Sequence, residues 1–367
     1  MESSETLNRN AHVTTQVESA PVRHSSSRSR AESAADSPQI GAATNAFLRR
    51  LYGPILEPLQ SVEQRLRAEM QSPYESIAPL LRHGIQLGGK RLRPAIHLLM
   101  AEALGGVRQS NIVIASVLEM VHTATLVHDD VLDDATTRRH VPTINAQWNN
   151  HTSILLGDYL FAQSFRLAAT LDNTRTCQWV GEAARLVCEG ELRQVFSRSD
   201  WHLDEATYFE VIQGKTAELC RVACALAAAE ADCSDERVEQ LAEFGTSLGI
   251  AFQIADDFLD LWGDDATVGK TLGTDLQQGK ITLPVIRLLE TCDEKDRTVI
   301  LSILEGPSAA RAAALRPWLE RSDARDYTAT TARDFKQRAL QSIDWLPQSE
   351  AKRCLKEIAE FSVERSF

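Results

Sequence analysis

The sequence predicts an all-helical protein. From about Asn45 onward nearly every segment places apolar residues at i, i+3 and i+4, and no run alternates convincingly in the manner of a half-buried strand. Glycine and proline divide the pattern into helix-sized pieces at Gly88-Gly89, Pro94, Gly105-Gly106, Gly263, Gly279 and Pro284. No repeat of solenoid period is present. The chain has 367 residues, 43% of them hydrophobic, so it can bury a large core.

Residues 1–44 come first and read differently. They are rich in Ser, Ala and Arg, lack aromatic residues and carry scattered acids such as Glu2, Glu18 and Asp36, so a disordered tail is expected, with the folded domain at 45–367. A transit peptide for organelle import is the competing reading, although such peptides are poor in acids, and no apolar region for secretion is present.

The first helical pieces lead to a basic loop, Gly88-Gly89-Lys90-Arg91-Leu92-Arg93-Pro94. Its glycines let the backbone approach a ligand, Lys90 and Arg93 supply donors for phosphate oxygens, and Pro94 suits the first turn of the following helix. Taken alone, the loop could equally be an exposed basic turn. The most apolar stretch, residues 112–127, comes next. Glu119 and His122 interrupt it, so it is not expected to span a membrane.

That stretch ends in VHDDVLDD at residues 127–134. Asp129 and Asp133 lie one helical turn apart and point the same way, and like charges at that spacing repel unless cations are held there. Arg138-Arg139 follows. The device recurs at residues 253–260, QIADDFLD, where Asp256 and Asp260 are again one turn apart. Two such clusters facing one cavity would suit a hard divalent cation, and Mg²⁺ takes carboxylate together with substrate phosphate oxygens.

Between the clusters lies Lys215-Thr216 in GKTAEL. Lys270 and Lys280 follow the second cluster, in VGKTLGTDLQQGKITLP. None of these is a P-loop, because the glycine spacing and the preceding strand are missing. Each lysine alone also fits a solvated surface. Gly245 and Gly249, four apart in the helix before the second cluster, predict close packing on a neighbouring helix. The net charge of −12 argues against a nucleic-acid partner, and the seven scattered cysteines read as free thiols.

Taken in order, basic loop, acid cluster, Arg-Arg, GDYLF at residues 157–161, Lys-Thr, acid cluster and GKITLP, the chain resembles the trans-type polyprenyl diphosphate synthases. The likeness runs from about Phe47 to the C-terminal FSVERSF. It implies an isoprenoid synthase fold, in which helices surround a central apolar catalytic cavity. It also implies a homodimer, and a Mg²⁺-dependent condensation of isopentenyl diphosphate with an allylic diphosphate.

By position, the resemblance makes Asp129, Asp133 and Asp256 direct ligands of about three Mg²⁺ ions, with Asp130, Asp257 and Asp260 as further ligands or holders of bound water. It assigns Arg138, Lys215, Lys270 and Lys280 to the allylic diphosphate. Lys90, Arg93, His122 and Arg139 go to isopentenyl diphosphate. Lys215, Thr216 and Gln253 form the catalytic set, the last two offering oxygen dipoles to an allylic cation. On periodicity alone His122 is a core histidine, and only the motif gives it a role.

Product length is expected from the helix that leads into Asp129. Thr125 and Ala124 lie roughly one turn, about 5.4 Å, below the metals, and Val121 and Val117 continue the stripe without a bulky aromatic. This favours a long-chain product, such as a quinone side-chain precursor, over farnesyl or geranylgeranyl diphosphate. The two-residue spacing before Asp133 is also unlike the bacterial short-chain members. Leu186, Val187 or Leu192 could add to the tunnel floor. His140, Asn150, His151 and Ser153 depart from the family pattern.

Two other readings stay open. One is a geranylgeranyl-type synthase; the other is a non-catalytic subunit of a heteromeric synthase, although such subunits lose the aspartate motifs that this chain keeps. The expected location is the cytoplasm, peripheral to a membrane through the greasy product, with organelle import left open by the tail.

Overall fold

Apolar spacing at i, i+3 and i+4 gives helices throughout the computed structural model, which describes residues 50–139, 141–263 and 272–364. The tail expected at 1–44, His140 and Lys270 lie outside the described residues, and every described residue belongs to the unit Asn45–Phe367.

In chain order the helices are α1 (Leu56–Glu69), α2 (Ala78–Leu87), α3 (Leu92–Ala103), α4 (Gln109–Leu132), α5 (Ile144–Gln147), α6 (Asn150–Ala168), α7 (Arg175–Phe196) and α8 (Glu205–Ile212). After them come α9 (Glu218–Glu230), α10 (Asp235–Trp262), α11 (Thr274–Gln277), α12 (Leu283–Thr291), α13 (Glu294–Glu305), α14 (Arg311–Arg321), α15 (Ala324–Ser342) and α16 (Glu350–Glu364). A π-helical turn, Gln213–Ala217, joins α8 to α9 without a break. Among the described residues the only strands are β1 (Thr137–Arg138) and β2 (Val141–Pro142), paired antiparallel with Arg138 opposite Val141. Strands of two residues are too short for alternation to reveal in sequence.

Side-chain chemistry sets several helix starts. Asn149 caps α6 by accepting from Thr152 N, Asp204 caps α8 from Thr207 N, and Asp293 caps α13 from Asp296 N. Pro284 sits in the first turn of α12, where its missing N–H costs nothing.

Helix α4 is apolar on all sides and most of it is buried, as a central core helix should be. By length and composition alone α4 is sufficient to cross a membrane, so Glu119 and His122 do not disqualify it as the sequence suggested. Its burial assigns it to the interior instead. It packs on α6, α3 and α1, while α10 packs on α9 and α15.

Two cores result. Ile96, Leu118 and Val121 belong to the first, and Ile254, Ile286 and Leu315 to the second. Helix α10 ties them together, giving Phe244 and Leu248 to the first and Ile250 and Ile254 to the second.

Small residues make the closest helix crossings possible. A Cβ on Gly249 would lie 2.5 Å from the Ala217 Cα, and one on Gly245 would fall on the Cys220 carbonyl, so both glycines are packing positions, as their spacing predicted. Gly190 on α7 meets the π turn the same way, where a Cβ would come within 2.6 Å of the Lys215 N. All seven cysteines are free.

Candidate active site

The last turns of α4 and its C-cap residue, Asp133, put three acids on two faces. Asp129 and Asp133 share one face and are partly open, whereas Asp130, about 100° around the helix, has a side chain only 1% exposed. Arg138 meets it there. Its Nε and Nη2 donate to Asp130 Oδ1 at 2.9 and 2.8 Å, while the buried Oδ2 has no partner among the described residues. The strand pair carries Arg138 back to this position. Burial pushes the Asp129 carboxyl up to about 6; Lys215 opposes this, and Glu191 and Asp133 reinforce it.

Cations from distant parts of the chain cover the open face. Lys215, presented by the π turn, donates to Gln194 Oε1 at 2.9 Å, pairs with Glu191 and lies 4.0 Å from Asp129 Oδ2. Such π turns inside helices recur at functional sites, because they re-aim one side chain without breaking the helix. Burial pulls the Lys215 ammonium down, but Asp129 and Glu191 more than offset it and hold it above the ordinary lysine range. Lys280 Nζ reaches Asp133 Oδ1 at 3.3 Å, and Arg198 Nη2 reaches the same oxygen at 3.1 Å.

The second cluster, at the end of α10, is built differently. Asp257 is buried, accepting from Tyr208 OH at 2.6 Å and from Gln253 Nε2 at 2.8 Å. Burial, with Asp275 nearby, pushes its carboxyl well above the usual range. Thr216 Oγ1 donates to Gln253 Oε1 at 2.9 Å, so Asp257 and Thr216 together fix which way the Gln253 amide faces. Asp260 turns toward the returning chain and caps α11. Its Oδ1 accepts from Thr274 N and Oγ1 at 3.1 and 2.8 Å, and its Oδ2 accepts from Asp275 N at 3.2 Å. Asp256 stays half-buried.

A cavity of about 110 Å³ lies at the second cluster, with Lys215, Thr216, Gln253, Asp257 and Lys280 in its wall; it reaches the first cluster only through Lys215 and Lys280, which pair with Asp129 and Asp133. Among the described residues no three His, Cys, Asp or Glu side chains are close enough to hold a metal ion alone. The donors offered are carboxylate oxygens only, one of them the unpartnered Oδ2 of Asp130. That set fits a hard cation such as Mg²⁺, which takes one or two carboxylates and completes its shell with water and substrate phosphate.

The basic loop forms a separate group. Arg93 Nη1 donates to His122 Nε2 at 3.0 Å, which leaves the His122 proton on Nδ1. Burial, then Arg93, holds the imidazole neutral, well below its usual pKa. Arg139 Nη1 donates to the Leu87 carbonyl at 3.1 Å and lies over Gly89. Lys90 is exposed, and its carbonyl accepts from Tyr52 OH at 2.9 Å. The two glycines make room for arginines: a Cβ on Gly88 would fall on the Arg91 guanidinium and one on Gly89 on that of Arg139.

Several residues of the site were given no role by the sequence. Arg91, left-handed at φ 54°, donates to Glu119 at 2.7 Å and to Glu63 at 2.5 Å behind the loop. Glu119 registered only as an interruption of an apolar run. Arg198, Glu191, Gln194 and Tyr208 belong to no motif, and their roles come from tertiary pairing.

Below the acids, Ala124, Val121 and Val117 are fully buried in the first core, and Thr125 is half-buried with its hydroxyl donating to the His122 carbonyl at 2.8 Å. Val187 is buried, but Leu192 is 53% exposed and faces outward, so it is no part of a floor within this chain.

The polyprenyl synthetase family model matches residues 74–318. Heptaprenyl diphosphate synthase component 2 of Geobacillus stearothermophilus is 36% identical over 323 residues, which cover 87% of this chain and 99% of that protein. A solved decaprenyl diphosphate synthase from Rhodobacter capsulatus has a TM-score of 0.82 at 32% identity, covering 87% of this chain and 99% of its own. A polyprenyl synthase from Caulobacter crescentus, complexed with calcium and isoprenyl diphosphate, has a TM-score of 0.79 at 33% identity, covering 87% and 98%.

Proposed function

Because the chain belongs to the polyprenyl synthetase family and is a prenyltransferase of isoprenoid biosynthesis, we propose that it adds isopentenyl diphosphate head-to-tail to an allylic diphosphate and releases a long all-trans polyprenyl diphosphate, a quinone side-chain precursor. Its architecture is the all-α isoprenoid synthase fold. The reading rests most on one meeting: Lys215 and Lys280, from separate parts of the chain, converge on Asp129 and Asp133 beside the cavity that Asp257 lines.

Mg²⁺, when bound, would neutralise charge on the leaving diphosphate oxygens. Asp129, Asp133 and Asp256 would hold it, with Asp130, Asp257 and Asp260 behind them. Lys215, Lys280, Lys270 and Arg138 would hold the allylic diphosphate. Lys90, Arg93, His122 and Arg139 would hold isopentenyl diphosphate, whose terminal carbon then faces the allylic group. With its Nε2 committed to Asp257, Gln253 keeps its Oε1 on the Thr216 side, where an oxygen dipole favours a developing cation. The released diphosphate can take the final proton, so no protein base is required.

Absence of an aromatic at Ala124, Val121 and Val117 supports a long product. Incubating the purified chain with Mg²⁺, farnesyl diphosphate and labelled isopentenyl diphosphate tests it: chromatography should give products beyond twenty carbons, and a predominant twenty-carbon product would establish the geranylgeranyl reading instead. Ala124→Phe should shorten the product; an unchanged length would remove α4 as the tunnel wall.

Quaternary structure has two readings. A homodimer is supported by Ile154 and Leu155 on α6 and Leu192 and Phe196 on α7, large apolar side chains left exposed, Phe196 by 82%. The relative named component 2 supports a heteromeric partner. Turnover by the purified chain alone, with a dimer mass in solution, selects the first; activity only after a second subunit is added selects the second. The proposed place of action is the cytoplasm, at a membrane surface through the product, and the N-terminus of the mature protein would reveal processing of the tail.

A further inference from the structure

Arg198 follows α7 and lies outside every motif of the sequence, yet its Nη2 is 3.1 Å from Asp133 Oδ1, the oxygen that Lys280 also reaches at 3.3 Å. The backbone holds these two cations side by side. Ser199 N donates to the Gly279 carbonyl at 2.8 Å, pinning the residue after Arg198 to the residue before Lys280. Both pinned residues are left-handed, Ser199 at φ 62° and Gly279 at φ 75°, and a Cβ on Gly279 would come within 2.7 Å of Ser199 Oγ. Glycine at 279 therefore meets a conformational and a steric demand at once.

Two cations on one carboxylate oxygen are more than that charge requires. Arg198 also keeps a spare donor, since its buried Nε has no hydrogen-bond partner among the described residues. A guanidinium with an uncommitted N–H beside the Lys280 ammonium is suited to phosphate oxygens.

We propose that Arg198 is a diphosphate-binding residue of this site, held on Asp133 until substrate arrives. The inference rests on the proposed function, in which Asp133 turns to a divalent cation. Asp133 then releases Arg198, whose N–H groups pass to phosphate oxygens next to Lys280. Metal and diphosphate each free the partner that the other needs, so each strengthens the binding of the other, and reciprocity of linkage makes the effect equal in both directions.

Arg198→Gln tests this, with Arg198→Lys as the charge-conserving companion. The glutamine variant should raise the KM for farnesyl diphosphate about tenfold or more, the size expected for one charged hydrogen bond, with the KM for isopentenyl diphosphate within about twofold. Free Mn²⁺ followed by electron paramagnetic resonance, without any diphosphate, should bind the variant several-fold more tightly than the wild type, because Asp133 has lost one competitor. Arg198→Lys should recover part of both effects.

Unchanged farnesyl KM and unchanged Mn²⁺ binding would overturn the proposal. So would equal rises in both KM values together with weaker Mn²⁺ binding, the pattern of a merely structural residue. A wild-type chain without turnover would refute the proposed function itself, and the Mn²⁺ measurement would still decide whether Arg198 occupies Asp133.

Discussion

The two acidic clusters share one spacing, acid-acid-apolar-apolar-acid, and are used in opposite ways. In the first, Asp129 and Asp133 face cations on long side-chain stems, Lys215, Lys280 and Arg198. In the second, Asp257 is enclosed by the neutral donors Tyr208 and Gln253, and Asp260 is committed to backbone N–H groups of α11. Partners that are separate charges can be exchanged for a metal–diphosphate complex. Partners that belong to the scaffold cannot leave without loosening it. One cluster is thus the exchangeable jaw of the site, and the other is largely fixed.

Removing the exchangeable acids should do the most damage to chemistry. Asp129→Asn and Asp133→Asn are expected to lower kcat by about a thousandfold, a loss typical of removing a group that stabilises developing charge, while circular dichroism is unchanged and the Tm of Asp129→Asn stays at or above the wild type. Relief of like-charge repulsion accounts for the stability. A fall in Tm by several degrees would break the contrast.

Asp257→Ala should show the reverse emphasis. It leaves the buried Tyr208 OH and the half-buried Gln253 amide without their acceptor, at a cost of about 2–3 kcal/mol in urea unfolding. An unaltered midpoint would mean that the second cluster is no more fixed than the first.

The pH dependence sharpens the comparison further. Asp129 titrates near 6 in the fold against an ordinary value of 3.8, so between these values the folded state keeps a proton that the unfolded state has released. Stability contributed by this group is therefore full below about pH 4 and lost as pH rises through 6. In metal-free buffer at pH 8, Asp129→Asn should be more stable than the wild type by about 1–3 kcal/mol, and the gap should close on acidification to pH 4. A gap independent of pH would contradict this. The smallest effect belongs to Tyr208→Phe, which removes one hydrogen bond to Asp257 and should cost about 1 kcal/mol, with little change in Mn²⁺ binding.

How much of this could be read in advance varies with the kind of interaction. Helices, the packing role of Gly245 and Gly249, and the acid clusters follow from periodicity and spacing, which are local properties of the chain. Which carboxylate of each cluster points inward does not, because it depends on what arrives from elsewhere: Arg138 for Asp130, Tyr208 for Asp257, Thr274 and Asp275 for Asp260. That the glycines of the basic loop also make room for the side chains of Arg91 and Arg139 depends on tertiary placement and has no local signal. Arg198 shows the same lesson, since its value comes from a backbone clamp to Gly279 that spans two distant stretches of sequence.

A crystal structure of the chain with Mg²⁺ and a non-hydrolysable allylic diphosphate analogue tests the division of labour most directly. Asp129 and Asp133 should have left Lys215, Lys280 and Arg198 for metal, those cations should lie on phosphate oxygens, and Asp257 should still hold Tyr208 and Gln253. Asp133 still paired with Arg198 and Lys280, with Asp257 swung out to the metal, would contradict the account.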